Sequence, residues 1–108
     1  MLAGRQPPTA IIASNDQMAL AVLDVARARG VPVPEELSII SFDNTPIVRV
    51  TQPPLTALDQ PIAQIAARAV DLILASLRGE RAPGEITVVP ATLVERGSVA
   101  KPPTATGR

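Results

Sequence analysis

The chain contains no cysteine, histidine, tryptophan or tyrosine, and Phe42 is its single aromatic residue. Without histidine it lacks the commonest general base and the commonest transition-metal ligand. Without cysteine it has no disulfide framework. Ten basic residues balance ten acidic ones, so there is no net positive field to attract nucleic acid. These absences predict a chain that is not an enzyme, holds no metal or cofactor and does not itself contact DNA.

Long hydrophobic runs are also missing, although apolar residues make up 46% of the 108 residues. That fraction is enough for the core of one small domain. No apolar run approaches the roughly 20 residues of a membrane-spanning helix. The first eight residues lack the apolar stretch of a secretory signal. We therefore expect no membrane partner.

Two apolar runs predict buried parallel strands joined by a helix. Residues 9–13 and 37–42 are rich in aliphatic and β-branched side chains, which is typical of strands covered on both faces. Between them a helix is expected over about 17–29, because Ala19, Val22, Leu23 and Ala26 recur at the spacing of a core-facing stripe. A strand, a helix and a second strand form a right-handed unit with parallel strands.

The second half of the chain predicts elements that do not cover one another. We expect strands at 55–58, 86–89 and 92–95, a helix over 61–78, and a disordered tail from 101 to 108. The helix is apolar around most of its circumference and needs cover. Uncovered faces and open strand edges are unusual in a complete domain. Residues 1–100 are therefore predicted to be a segment of something larger.

Polar side chains follow three of the predicted strands: Asn15, Asp43 and Gln60. Ligands of open α/β sheets bind at the carboxyl ends of the strands, so these three residues are candidates to line one crevice. Each also has a structural alternative. Asn15 is a favoured helix cap, Asp43 suits a turn, and the alternative for Gln60 is that it simply precedes a helix.

A second candidate surface lies on the first helix, opposite its core face. Leu20 shares a stripe with Asp24 and Arg27, and Met18 lies beside it. A single exposed leucine needs no explanation. The alternative is that Leu20 and Met18 belong to a surface that contacts a partner.

Four blocks of sequence follow one another at residues 8–19 (PTAIIASNDQMA), 30–43 (GVPVPEELSIISFD), 53–61 (PPLTALDQP) and 93–98 (LVERGS). In this order and near this spacing they resemble the carboxyl-terminal part of the lactose-repressor (LacI/GalR) family of bacterial transcription regulators. The resemblance implies an α/β, periplasmic-binding-protein-like (type I) domain, with an open parallel sheet, flanking helices and two lobes around a cleft. The chain would be an incomplete fragment that ends one lobe, crosses at 55–60 and contributes helix 61–78 to the other.

The same resemblance implies a function and roles for particular residues. The parent would be a cytoplasmic, homodimeric regulator that binds a sugar or a similar small polar effector, and touches operator DNA only through a head domain absent from this chain. Asn15, Asp43 and Gln60 match positions that line the effector cleft, and Phe42 matches an aromatic position beside it. The predicted dimer interface comprises Met18, Leu20, Ile47 and Thr51.

Two points qualify the resemblance. Ser41 stands where the family usually has glycine, a change next to the predicted ligand site. Periplasmic sugar-binding proteins of transport systems share the fold and an Asn-Asp-containing first block, and they are the alternative function. The upstream gene sequence separates the two, because a helix-turn-helix region indicates a regulator and a signal peptide indicates a transport protein.

Overall fold

The structure is a computed structural model that describes residues 6–104 and forms two compact units. The first unit comprises the described residues up to 59 and from 92 onward, and the second comprises Gln60–Ala91. The first unit holds β1 (Ala10–Ile12), α1 (Asp16–Ala28), β2 (Ser38–Asp43), a 3-10 helix (Pro46–Arg49), β3 (Thr56–Asp59) and β4 (Thr92–Val94). The second unit holds α2 (Ile62–Leu77). The strands β1 to β4 and the helices α1 and α2 match the predicted elements to within one residue at each end, and the predicted strand at 86–89 has no counterpart.

The sheet of the first unit has the strand order β1-β2-β3-β4. β1, β2 and β3 are parallel neighbours, as the sequence predicts, whereas β4 pairs antiparallel with β3 and places Thr92 opposite Asp59. The open α/β fold is confirmed, but its sheet is mixed and not all-parallel. The reason is that residues 60–91 leave β3 and return at the same end of the sheet, so the chain makes no crossover. Antiparallel edge strands are common in such sheets.

The core of the first unit lies between α1 and the sheet. α1 buries Ala19, Leu23 and Ala26, and Val22 packs against the same cluster. These four residues form the core-facing stripe that their spacing predicts. The other buried apolar side chains come from the sheet and its loops: Ala13, Leu37, Ile39, Val48, Leu55 and Ala57.

The chain after β4 is held to the sheet by hydrogen bonds of its backbone and of several side chains, among them Ser98. Ser98 is fully buried, and its Oγ donates to the Ile39 carbonyl (2.5 Å) and accepts from the Thr56 N–H (2.8 Å). The N–H of Gly97 donates to the Pro54 carbonyl (3.0 Å). A side chain at Gly97 would lie 3.4 Å from a Pro53 carbon. The closing LVERGS block therefore links β2 to β3 in addition to forming β4.

The second unit contains one helix and irregular chain. None of the residues of α2 is buried, and Ile62, Ile73 and Leu77 are at least 60% exposed. The strand predicted at 86–89 is wrong, because these residues form neither helix nor strand. Their side chains have β character, but a strand also needs a neighbour that pairs its backbone groups.

Two further expectations concern the termini and the membrane. Residues 101–104 of the predicted disordered tail carry no helix or strand, and the rest of that tail lies outside the described residues. Between residues 6 and 104, no helix combines the length and the apolarity that crossing a bilayer requires.

Candidate functional site

Asn15 and Asp43 line a common cavity of about 440 Å³ at the carboxyl ends of β1 and β2. The other lining residues are Asp16, Gln17, Leu20, Thr45 and Ile47. Parallel neighbours end at the same edge of a sheet, which explains why two residues 28 positions apart in the sequence meet here. The cavity thus combines two predicted ligand residues with two residues predicted for the dimer interface, Leu20 and Ile47.

Asn15 is the cap of α1. Its Oδ1 accepts a hydrogen bond from the Met18 N–H at 2.8 Å, and its backbone is extended, as N-cap residues require. The structural alternative for Asn15 is therefore realised. Capping uses only the carboxamide oxygen, whereas the carboxamide nitrogen carries two donors. Cap and ligand contact are thus compatible in one side chain.

Asp43 and the next residue have an unusual backbone. Asp43 has φ +99° and Asn44 has φ +63°, two consecutive left-handed residues that are not glycine. Aspartate and asparagine enter this region more readily than other side chains. Even so, such residues cost on the order of 1–3 kcal/mol each and persist where their surroundings hold them. The position of Asp43 is therefore imposed by its neighbours.

Asp16 is the main polar anchor of this region, and it is only 3% exposed. The Ser41 hydroxyl donates to one of its carboxylate oxygens, and the Thr45 N–H (2.6 Å) and Oγ1 (2.5 Å) donate to the other. Burial acts to raise the pKa of Asp16, but these hydrogen bonds outweigh it and hold the pKa below its ordinary value. A charged carboxylate in the first turn also suits the helix dipole. Asp16 thus ties α1, β2 and the following loop together.

The sequence alone did not predict this role of Asp16. The one available signal was the Ser41 substitution, since a hydroxyl in place of glycine within a buried strand needs a hydrogen-bond partner. Ser41 is fully buried, and its hydroxyl meets that need through Asp16. A second residue without a predicted role is Arg96, whose Nη2 donates to Asn44 Oδ1 at 2.6 Å.

The other two predicted ligand residues lie outside this cavity lining. Phe42 is half-buried and pairs with Leu58 across β2 and β3. Gln60 belongs to the second unit, where its carbonyl accepts from the Ile62 N–H at 2.8 Å. The convergence of Gln60 with Asn15 and Asp43 stays a prediction. Within residues 6–104, no three acidic, histidine or cysteine side chains are grouped so that they could hold a metal ion.

The predicted dimer residues differ in their surroundings. Met18 is 54% exposed and Ile47 is 45% exposed, while Leu20 is half-buried. The Thr51 hydroxyl donates within its own turn, with the Val48 carbonyl at 3.1 Å and the Pro53 carbonyl at 2.9 Å. Met18 and Ile47 are accessible to a partner, whereas the Thr51 hydroxyl stabilises the turn.

Comparison with known proteins identifies the class to which this fold and cavity belong. The model of the periplasmic binding protein-like domain family matches residues 1–99. The chain belongs to this family. It is 44% identical over 97 residues to the HTH-type transcriptional regulator DegA of Bacillus subtilis, an alignment that covers 90% of this chain and 29% of DegA. The chain thus spans less than a third of the length of this relative.

Solved structures give the same result. A LacI family transcriptional regulator from Bifidobacterium animalis subsp. lactis is 41% identical, with a TM-score of 0.83 over 95% of this chain and 37% of that one. A lac repressor dimer bound to operator and the anti-inducer ONPF is 30% identical, with a TM-score of 0.78 over 87% of this chain and 32% of the repressor. The predicted resemblance to the lactose-repressor family is confirmed.

Proposed function

We propose that this chain is the effector-binding and dimerisation part of a longer LacI-type transcriptional regulator. The observation that carries the proposal is the meeting of Asn15 and Asp43 in one cavity at the carboxyl edge of the parallel strands. DegA and the two solved relatives are named as regulators, which favours this reading over the sugar-binding protein of a transport system. A regulator of this kind acts on operator DNA in the cytoplasm, through a head domain elsewhere in the protein, and it is not an enzyme.

The cavity lining favours a neutral effector rich in hydroxyl groups. The Asp43 carboxylate accepts hydrogen bonds, and the Asn15 carboxamide offers donors. None of the lining residues is basic, so this side of the site offers an anionic ligand no counter-charge. The hydroxyl groups of a sugar or sugar-like polyol are donors to which a carboxylate such as that of Asp43 binds. We propose that Gln60 and Phe42 supply the other contacts that this lobe makes with the effector.

Exposed apolar side chains support the proposed assembly. Val50 (77% exposed), Ile47 and Met18 present apolar surface on the 3-10 helix turn and on α1. We propose that a second copy covers this surface in a homodimer. In α2, the exposed side chains include Ile62, Ile73 and Leu77. We propose that the other lobe of the same regulator covers them.

The decisive test is Asp43→Ala in the full-length regulator, titrated by calorimetry against a panel of neutral mono- and disaccharides. We expect a saccharide that binds the wild type to bind the variant about 10- to 100-fold more weakly. A hydrogen bond to a charged group contributes about 1.5–3 kcal/mol, and each 1.4 kcal/mol is about a tenfold change in affinity.

The matched control is Asp24→Ala, which removes an exposed carboxylate from α1. It should leave saccharide affinity unchanged. Equal affinity in wild type and Asp43→Ala would show that Asp43 does not bind the effector. A variant that unfolds would instead indicate that Asp43 serves only the turn. A panel in which no saccharide binds the wild type would refute a neutral sugar as the effector.

A further inference from the structure

We propose that Arg96 is a positioning residue for Asp43. By donating a hydrogen bond to the side chain of Asn44, Arg96 stabilises the left-handed backbone conformation of Asp43 and Asn44. The inference rests on the proposed function only in giving Asp43 a ligand to bind. Arg96 belongs to the LVERGS block, 53 positions after Asp43 in the sequence. Its own contacts bring it to the loop that follows β2.

Three hydrogen bonds fix Arg96 between β3 and that loop. Its backbone N–H donates to Thr56 Oγ1 (3.0 Å), and its Nη1 donates to the Leu55 carbonyl (2.7 Å). Both partners lie at the start of β3, in the buried part of the sheet. The remaining arm of the guanidinium, Nη2, reaches Asn44 Oδ1 at 2.6 Å. The planar fork of arginine is suited to two fixed acceptors at once.

This contact acts on the residue whose conformation needs support. An asparagine adopts positive φ most readily when its side chain is held by a local hydrogen bond. Here the Asn44 side-chain oxygen accepts from Arg96, so part of the support comes from the segment that follows β4, far away in the sequence. On the other side of Asn44, Thr45 is pinned to Asp16 through its N–H and its hydroxyl. Asn44 therefore lies between the end of β2 and the bonded Thr45, and Arg96 supplies the hydrogen bond to its side chain.

The consequence for Asp43 is geometric. Its φ of +99° follows directly on a regular strand, and the peptide that joins it to Asn44 is shared by both left-handed residues. If the hydrogen bond from Arg96 to Asn44 is lost, the shared peptide can rotate and both residues can return to negative φ, which most residues prefer. The Asp43 carboxylate would then leave the cavity position beside Asn15 while β2 itself stays in place.

Because Arg96 also stabilises the start of β3, the experiment must separate positioning from stability. We suggest comparing Arg96→Met with the double variant Arg96→Met/Asn44→Gly in the full-length regulator. Glycine adopts positive φ without steric cost, so it should restore the backbone at 43–44 without restoring the bond to Leu55. Arg29→Met, at an exposed position at the end of α1, is the matched control.

The first readout needs no ligand. In Arg96→Met, the NMR amide and Cα signals of Asp43 and Asn44 should move away from their left-handed values. In the double variant, where residue 44 is glycine, the signals of Asp43 should return. The melting temperature should fall by a similar amount in both variants. Saccharide affinity should fall about tenfold in Arg96→Met, as expected for a lost hydrogen bond to a charged group, and recover in the double variant.

Unchanged Asp43 and Asn44 signals in Arg96→Met would overturn the proposal, whatever happens to the melting temperature. Failure of Asn44→Gly to restore the Asp43 signals in the double variant would also overturn it, because Arg96 would then act by general stabilisation. If Arg96→Met does not fold, Arg96→Lys provides the same test, because an ammonium group lacks the planar fork that reaches the Leu55 carbonyl and Asn44 Oδ1 at once. If no saccharide binds the wild type, the proposed function fails while the ligand-free signals still decide the role of Arg96.

Discussion

Replacing Asp16 by alanine is expected to lower the free energy of unfolding by about 3 kcal/mol, since a buried charged acceptor is lost and its donors are left without a partner. The stranded groups are the Ser41 hydroxyl and the N–H and hydroxyl of Thr45. The measurement is urea denaturation of the full-length protein at pH 7. Asp24→Ala, which removes an exposed acidic side chain from the same helix, should cost far less.

The same prediction has a pH dependence with a definite sign. The pKa of Asp16 is lowered by folding, so its contribution is fully present above the ordinary aspartate pKa of about 3.9 and is lost as the pH falls through the folded value. The stability difference between wild type and Asp16→Ala should therefore stay constant from pH 7 to about pH 5 and shrink below pH 4. A difference that stays constant down to acid unfolding would contradict the charged network around Asp16.

The second large effect concerns assembly. Leu20→Lys is expected to convert the proposed homodimer into monomers, because a two-fold interface repeats the substitution and buries two unpaired like charges. Sedimentation velocity at micromolar concentration measures this directly. The monomers should still bind the effector, since the proposed cleft lies within each protomer, but should bind operator DNA weakly.

Ala28→Lys is the matched control, because it adds the same charge to an exposed position at the far end of α1. It should remain dimeric. If Leu20→Lys also remains fully dimeric, Leu20 does not belong to the interface. Leu20 also lines the cavity beside Asn15 and Asp43, so a monomeric variant with reduced effector affinity would indicate that interface and ligand site share this wall.

Local pattern was sufficient to predict most of the elements. The α1 stripe of Ala19, Leu23 and Ala26 reports burial directly, because helix periodicity fixes which side chains share a face. Periodicity does not indicate whether a neighbouring strand is present to pair the backbone groups of a predicted strand. That is why the apolar residues at 86–89 were assigned a strand that does not form, and why the direction of β4 could not be read from its residues.

Part of the candidate site was predictable for a similar reason. Asn15 and Asp43 were found because parallel strands bring their carboxyl ends together. The contacts that hold the residues next to them were not predicted, because Ser41 reaches Asp16 across 25 positions of sequence and Arg96 reaches Asn44 across 52. No local pattern marks an aspartate as the acceptor of such bonds. Only the tertiary structure distinguishes the buried Asp16 from the exposed Asp24 on the same helix.

The left-handed backbone at Asp43 and Asn44 also limits how this protein can diversify. β-branched and bulky side chains are strongly disfavoured at positive φ, so the substitutions open to position 43 reduce largely to aspartate, asparagine and glycine. Among these, aspartate and asparagine differ by one charge, and glycine removes the side chain. With Asp43 as the proposed effector-binding acceptor, new effector preferences would therefore be expected to arise mainly from the residues around it.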